Sequence, residues 1–469
     1  MYEDVKGGAV AAGQLARGAA LRDVVDISDP SAWLALDEGV RADLWYLPAP
    51  YGVPAWETTA EGARLTAALR GEGRFTTALP GGARFTAALR GRGRLTESQL
   101  ALALCHRDGR IRHRALGQAV GHRELLPLVV VRCADWAEPV RELARGHLSR
   151  ALDAETAVRL TSLVLRVGRR SRGDFAVALV SEVLCRAPKE QLAPLLTDTD
   201  RAVRRFAHRL AAGQGLLSPV ELARAAARDE DAVVQSLCAE AALAALAKRN
   251  VEEDDADDVV GPLLAARNPR ARSAGVTALR RLGRTEQAAG FLTDRSGLVR
   301  ACARYVVRQL GGDPLAWYRE RCADPTDDVL PPGAAIGLAE CGERADAALL
   351  WPLLDHPAAR VRAQAVAGLR TLDATDVARM RLLLDDPAPG VVTEATLALL
   401  PSAELLPEHW LSERLGTERP RWVRVSAYRL LDARGGAARL RAAQRLLGDA
   451  DERLRRRAEL TVGRSLPSS

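Results

Sequence analysis

The chain has 469 residues, of which 48% are hydrophobic and only 4% aromatic, and its formal net charge is +7. Only Lys6, Lys189 and Lys248 are lysine, so arginine supplies 64 of the 67 basic residues, which favours a coding bias over selection for phosphate contacts. No apolar run is long enough to span a bilayer, and residues 1–6 lack the pattern of a secretory signal. We therefore expect a cytoplasmic protein without a membrane partner.

Residues 1–61 are predicted to form an N-terminal helical and aromatic cap. The Ala-rich start predicts one weak helix, and Ser28-Asp29-Pro30 is a good beginning for a clearer one. Prolines 48, 50 and 54 exclude helix beyond it. Five aromatic residues lie between Trp33 and Trp56. We expect them to cover the open end of a repeat array, and an exposed aromatic binding patch is the alternative.

Residues 62–96 carry a different pattern, a ten-residue repeat of the form Gly-x-Arg-(Leu/Phe)-Thr. Its last copy leads into Thr96 and Gln99, which match a capping box and predict a helix start. The earlier copies are predicted to form a basic, loop-like segment between glycine pairs. A β-solenoid and a nucleic-acid-binding arm are the alternatives.

Residues 97–469 contain a longer repeat, in which a hydrophobic anchor residue opens a helix about every 30 residues. From Val299 onward the spacings are 30, 32, 30, 32 and 31. The anchors are Ile111, Val140, Val203, Val234, Ala271, Val299, Val329, Val361, Val391, Val423 and Leu454. Alanine often falls four residues after the anchor, on the same helix face. One helix pair cannot bury that face alone, so consecutive pairs must stack.

Three stretches depart from the regular repeat. The gap between Val140 and Val203 leaves room for one degenerate repeat, with residues 174–177 in its second helix. The acidic run 252–258 is predicted to be a solvated loop. Pro331 and Pro332 follow the anchor Val329 and predict a second helix that starts late or bends.

The two-helix unit, with Asp in its turn and Val-Arg-x-x-Ala in its second helix, resembles the short form of the HEAT repeat. The resemblance implies an all-α, right-handed α-α superhelix, and the spacing gives it about 11–12 helix pairs. It also implies that the second helices line a concave surface that commonly binds proteins.

Asp recurs five or six residues before the anchor, and Arg recurs directly after it, as in Asp355 and Arg362. A row of arginines across a binding groove is one interpretation. We favour a structural ladder, in which each Asp caps its helix or pairs with an Arg of its own or the next repeat.

Signatures of catalysis are absent from the sequence. There is no G-x-x-x-x-G-K-[ST], no H-E-x-x-H and no G-x-S-x-G. No carboxylate or cysteine at metal-ligand spacing completes a site with His106, His113 and His122. The seven cysteines form no C-x-x-C and are predicted to be reduced and mostly buried. Short HEAT proteins that are di-iron hydroxylases carry His-Glu pairs, which this chain lacks. We expect no enzyme, metal or cofactor.

The predicted function is a non-catalytic scaffold or adaptor that binds a protein partner. Positions three residues past the anchor should border the groove, and the candidate partner-binding residues are Arg114, Phe206, Gln364, Glu394 and Arg457. Their mixed chemistry suits one folded partner or peptide better than a phosphate backbone. The alternative is a nucleic-acid-binding HEAT protein, including one that resembles HEAT-like DNA alkylation-repair glycosylases, with Trp136, Trp317, Trp351 and Trp422 along a groove.

Overall fold

The computed structural model describes residues 2–41, 56, 63, 66, 95–248 and 253–463. Within these ranges the regular structure is entirely helical, as predicted. The ten-residue repeat lies outside the described residues except for residues 63, 66, 95 and 96. The chain divides into two compact units, 1–222 with 230–241 (unit 1) and 223–229 with 242–469 (unit 2).

Within residues 2–41 the structure has three helices: α1 (Tyr2–Ala16), α2 (Leu21–Val24) and α3 (Pro30–Arg41). The start of α3 confirms the prediction from Ser28-Asp29-Pro30, and the Asp29 carboxylate accepts the Ser31 N–H at 2.8 Å. Trp33 and Trp56 are buried in the core of unit 1. The Trp56 indole donates to the Val40 carbonyl at 2.9 Å. The other three aromatic residues of the predicted cap lie outside the described residues.

The described residues from 97 to 463 form twelve helix pairs, in agreement with the predicted number. They are α4 (Glu97–Cys105) with α5 (Gly109–Gln118), α6 (Leu126–Arg132) with α7 (Glu138–Ala151), α8 (Ala154–Val167) with α9 (Asp174–Arg186), α10 (Ala193–Leu196) with α11 (Arg201–Gly213), α12 (Pro219–Arg228) with α13 (Ala232–Lys248), α14 (Glu253–Leu264) with α15 (Pro269–Leu279), α16 (Thr285–Ala289) with α17 (Gly297–Gln309), α18 (Pro314–Cys322) with α19 (Pro332–Cys341), α20 (Ala347–Leu350) with α21 (Ala359–Thr371), α22 (Val377–Leu382) with α23 (Pro389–Leu399), α24 (Glu408–Glu413) with α25 (Arg421–Arg434), and α26 (Gly436–Leu446) with α27 (Glu452–Gly463).

The second helices of consecutive pairs pack on one another within each unit. Contacts run from α5 through α7 and α9 to α11 in unit 1, and from α19 through α21 and α23 to α25 in unit 2. Each unit has its own apolar core, which reaches from Ala12 to Ala207 in unit 1 and from Val260 to Ala458 in unit 2. The all-α stacking of helix pairs is therefore confirmed.

Ten of the eleven anchor residues are buried, and Val329 is the exception. Its side chain is 80% exposed, so its prediction as a core anchor is wrong. Helix α19 starts late, at Pro332, as Pro331-Pro332 predicted. Ala334, which is fully buried, takes the anchor position two residues into the helix, where Val361 lies in α21. The degenerate repeat is confirmed, with residues 174–177 at the start of α9.

The Asp and Arg of the repeat form a structural ladder, as predicted. Arg362 of α21 donates from Nε and Nη2 to both carboxylate oxygens of Asp386, each at 2.9 Å. Its Nη1 donates to the carbonyl of His356 at 2.9 Å, and Asp386 also accepts the Ala388 N–H at 2.8 Å. The same bidentate pair joins Arg112 to Asp135 and Arg272 to Asp294. Each pair fixes one repeat to the next, because its two members belong to neighbouring repeats.

The acidic run is not a loop. Residues 253–258 form the first turns of α14, and Asp257 pairs with Arg284. The predicted capping box is confirmed, and the structure has a second one. Thr96 and Gln99 cap α4, and Ser218 and Glu221 exchange hydrogen bonds at the start of α12.

Candidate protein-interaction site

One ladder arginine in the described part of unit 2, Arg300, has no Asp partner in the next repeat. In the regular repeat an Asp lies five residues before the anchor, and its carboxylate accepts hydrogen bonds from the Arg of the preceding repeat. With Ala334 as the anchor, that position is occupied by Val329, which has no carboxylate. Arg300 instead donates from Nε to Glu340 at 3.1 Å. Arg304 reaches the same carboxylate from Nη1 at 2.6 Å.

A cleft of about 530 Å³ opens at this step, and we call it the ladder-break cleft. It is lined by Thr293, Arg295, Arg300, Pro332, Gly333, Arg360, Ala363 and Gln364. The backbones of α17 and α19 approach each other less closely than those of α19 and α21. The late start of α19 thus leaves space beside the ends of three second helices.

Close packing fixes one wall of the cleft. A Cβ added at Gly333 would overlap the backbone of Thr293, so glycine is what allows the start of α19 to approach that turn. On the other side, α21 presents Arg360 and Gln364, which are four residues apart and share a helix face.

The lining of the cleft is basic, and none of its eight residues is acidic. Arg295 and Arg360 are exposed, and Arg295 donates to the carbonyl of Arg267 at 2.9 Å. Burial acts to raise the pKa of Glu340, but the hydrogen bonds from Arg300 and Arg304 hold that pKa below its usual range. Glu340 therefore stays ionised, and one carboxylate is shared by two guanidinium groups.

Only one of the five predicted binding residues reaches this cleft. Gln364 lines it, half-buried on α21. Glu394 of α23 pairs with Arg370 at 3.3 Å, and Arg457 of α27 lies 3.6 Å from Asp432.

The other two predicted residues belong to unit 1. Arg114 is exposed on α5, and Phe206 is half-buried on α11 against the core. The prediction missed Arg295 and Arg360. The sequence marks this step by Pro331-Pro332, but that signal does not show which side chains line the cleft.

The described residues contain no group of three or more His, Cys, Asp or Glu side chains that could hold a metal ion. None of the cysteines is in a disulfide. Burial raises the pKa of Cys133 and of Cys322 to about 12, which keeps these thiols protonated and unreactive. Among the described helices none is both long and apolar enough to cross a membrane.

The four tryptophans considered for a DNA groove are distributed over different elements. Trp136 lies in a turn of unit 1, 65% exposed, with the Arg112 guanidinium 5.6 Å from its ring centre. Trp317, Trp351 and Trp422 belong to unit 2, the first on α18, the second after α20 and the third on α25. None of the four lines the ladder-break cleft.

Fold and cleft together define an α-solenoid of stacked helix pairs with a basic cleft between second helices. No protein-family model matches the chain, and no curated protein matches it. Among solved structures, the chain is similar to Kap121p in its crystal structure bound to Ste12p, with 14% identity and a TM-score of 0.30. The match covers 82% of this chain and 49% of the Kap121p chain, so the chain spans about half the length of that protein.

Proposed function

We propose that the protein is a non-catalytic interaction scaffold, and that the ladder-break cleft receives an acidic segment of a protein partner. The observation that carries the proposal is the cleft itself. It has a basic lining without a carboxylate, and it lies where the repeat departs from its own pattern. A cavity of this size accommodates a few side chains, within the usual range of about 300–1,000 Å³ for ligand sites.

Charge complementarity selects the occupant. Arg295 and Arg360 are exposed at the cleft, so an Asp or Glu side chain can pair with either guanidinium. Gln364 adds an amide that donates and accepts hydrogen bonds, which suits the backbone of an extended peptide.

The surrounding repeats argue for a partner protein over a polyanion. At the position of Arg360, one residue before the anchor, neighbouring repeats carry Leu298, Gly390 and Trp422. A protein that follows a phosphate backbone needs positive charge at successive positions. In unit 2 this position also holds Arg270 and Arg453, but never Arg in two adjacent repeats, and positive charge that is not continuous suits a discrete acidic contact.

The test is selection of peptides from a phage-displayed library on the full chain, followed by binding measurements with labelled peptides. We expect the selected peptides to be enriched in Asp and Glu. Combining Arg295→Glu with Arg360→Glu should weaken binding at least tenfold, about 1.4 kcal/mol, because two charge contacts become repulsive.

The matched control is Arg381→Glu, which reverses an exposed arginine on α22 away from the cleft and should leave affinity unchanged. Peptides without acidic residues, or equal weakening by the control, would refute the proposal. Random duplex DNA at low salt serves as the rival ligand. Binding of DNA that is lost on reversal of Arg295 and Arg360 would favour the nucleic-acid alternative.

We extend the proposal to the organisation of the chain. The Asp–Arg ladder supports assignment to the short HEAT type, with an N-terminal cap in residues 1–61 and a repeat array over 97–469. Arg114, Phe206, Glu394 and Arg457 remain predicted contacts of a partner on other second helices. Cytoplasmic location remains a prediction from the sequence.

A further inference from the structure

A second cavity, in unit 1, has the character of a small-molecule site. It measures about 420 Å³ and lies at the C-terminal ends of α5 and α7, beside the start of α6. Leu126, Val129 and Leu152 form its apolar side. Gly121, with φ of +91°, makes the turn after α5 that closes another side, and this is a conformation that favours glycine.

His147 of α7 faces this cavity, which we call the His147 pocket. Its side chain is only 9% exposed, and no described residue forms a hydrogen bond with its ring. Because the imidazole opens to the cavity, its ring nitrogens can form hydrogen bonds with a molecule that enters. Burial, together with the nearby Arg150, lowers the pKa of His147 and keeps its ring neutral at pH 7.

The pocket also carries a positive charge without a matching carboxylate. Arg150 lies three residues after His147 on the same helix face, and its Nε donates to the Gly146 carbonyl at 2.9 Å. No described carboxylate pairs with Arg150. Arg123 and Asp153 also line the pocket and lie 3.6 Å apart, so Arg150 supplies the net positive charge of the lining.

We propose that the His147 pocket binds a small organic anion, a carboxylate carried on an apolar body. The apolar part packs on Leu126, Val129 and Leu152, and the carboxylate pairs with Arg150. His147 supplies one hydrogen bond as a neutral donor. A purely polar anion would not bury the apolar side of the pocket. A neutral apolar compound would not form an ion pair with the Arg150 guanidinium.

The probe is 2-naphthoate, a fluorescent carboxylate on an apolar ring system, titrated against the full chain. We expect saturable one-to-one binding and about fivefold weaker binding of the uncharged 2-naphthamide. Arg150→Gln should weaken naphthoate binding about fivefold without changing the affinity for the amide, because it removes only an exposed charge pair. His147→Leu should weaken both ligands.

Arg209→Gln is the matched control, since it removes an exposed arginine of unit 1 on α11, outside the pocket lining, and should change neither affinity. Circular dichroism and the melting temperature show whether each variant is folded. Arg150 is exposed, so its replacement is expected to preserve the fold. Absence of saturable binding to the wild type, equal binding of the amide, or equal binding to Arg150→Gln would overturn the proposal. The outcome is independent of the ladder-break cleft, which belongs to unit 2.

Discussion

The ladder pair between Arg362 and Asp386 offers a quantitative test of what holds neighbouring repeats together. The two side chains are 13% and 8% exposed, and Asp386 accepts both guanidinium hydrogen bonds at 2.9 Å. Arg362→Met keeps most of the aliphatic stem but removes the charge, and so leaves a nearly buried carboxylate with one remaining bond, from Ala388. Breaking a buried pair in this way costs about 3–5 kcal/mol. Because the pair retains some exposure, we expect the lower end, about 3 kcal/mol.

The matched control has the same geometry at the surface. Arg441 donates from Nε and Nη2 to the two oxygens of Glu408, each at 2.8 Å, but the side chains are 60% and 30% exposed. Exposed pairs contribute about 0–1 kcal/mol, so Arg441→Met should change little.

The assay is amide hydrogen exchange followed by mass spectrometry, which reports local opening and does not assume that a repeat protein unfolds in one step. Arg362→Met should accelerate exchange in residues 359–371 and 389–399 by roughly 100-fold, the equivalent of about 3 kcal/mol. Arg441→Met should accelerate exchange around its own site by less than about tenfold. Equal acceleration by the two variants would refute the reasoning that burial, and not geometry alone, sets the contribution of the ladder.

Three further predictions concern packing and pH. Gly337→Ala should lower the stability of unit 2 by about 1–3 kcal/mol, because its Cβ would overlap the Tyr318 ring. Gly146→Ala, which has open space around its Cβ in the interior of α7, should raise stability by about 0.5–1 kcal/mol. The two variants should therefore shift the melting temperature in opposite directions. Burial raises the pKa of Tyr318 to about 12. The phenol is neutral in both the folded and the unfolded state below pH 10, so the free energy of unfolding should fall as pH rises from 10 towards 12. Ultraviolet titration should show one tyrosine that ionises late. The hydrogen bonds from Arg205 lower the pKa of Asp231 from 3.8 to about 2. The stability that this pair contributes to the folded state is complete above pH 3.8 and is lost as pH falls towards 2. The urea midpoint of Arg205→Gln should therefore change less over that range than the midpoint of the wild type.

The architecture could be predicted well from the sequence because each repeat has to meet the same packing requirement. Anchors such as Val299 and Val361 are buried, since only an apolar residue at that spacing keeps the helix pairs in contact. The ladder was predictable for the same reason, because Asp and Arg recur together. The acidic run 252–258 was misjudged because charge alone indicates solvent exposure. It does not distinguish a loop from the first turn of a helix, where carboxylates are favoured.

The candidate site was harder to predict because it depends on a single departure from the repeat. Spacing from Val299 to Val329 looks regular, yet the two prolines shift the start of α19 and move the anchor to Ala334. A one-dimensional pattern cannot show that the displaced position is the one that normally holds the Asp. The cleft residues Arg295 and Arg360 follow from that shift, and so only coordinates could bring them together.

Two consecutive repeats of unit 2 have a residue other than Asp at the Asp position, and the ladder-break cleft lies beside α19 in the first of them. His356 occupies the position in the next repeat, and its Nδ1 accepts the Ala358 N–H at 3.0 Å, as an Asp oxygen would. Since Nδ1 accepts, the proton is on Nε2, which donates to the Asp327 carbonyl at 3.0 Å and joins the turn to the preceding repeat. Histidine thus keeps the cap and a link between repeats without a carboxylate. Val329 can do neither, so the turn of its repeat has no such link, Arg300 pairs with Glu340 instead, and a cleft lies beside α19.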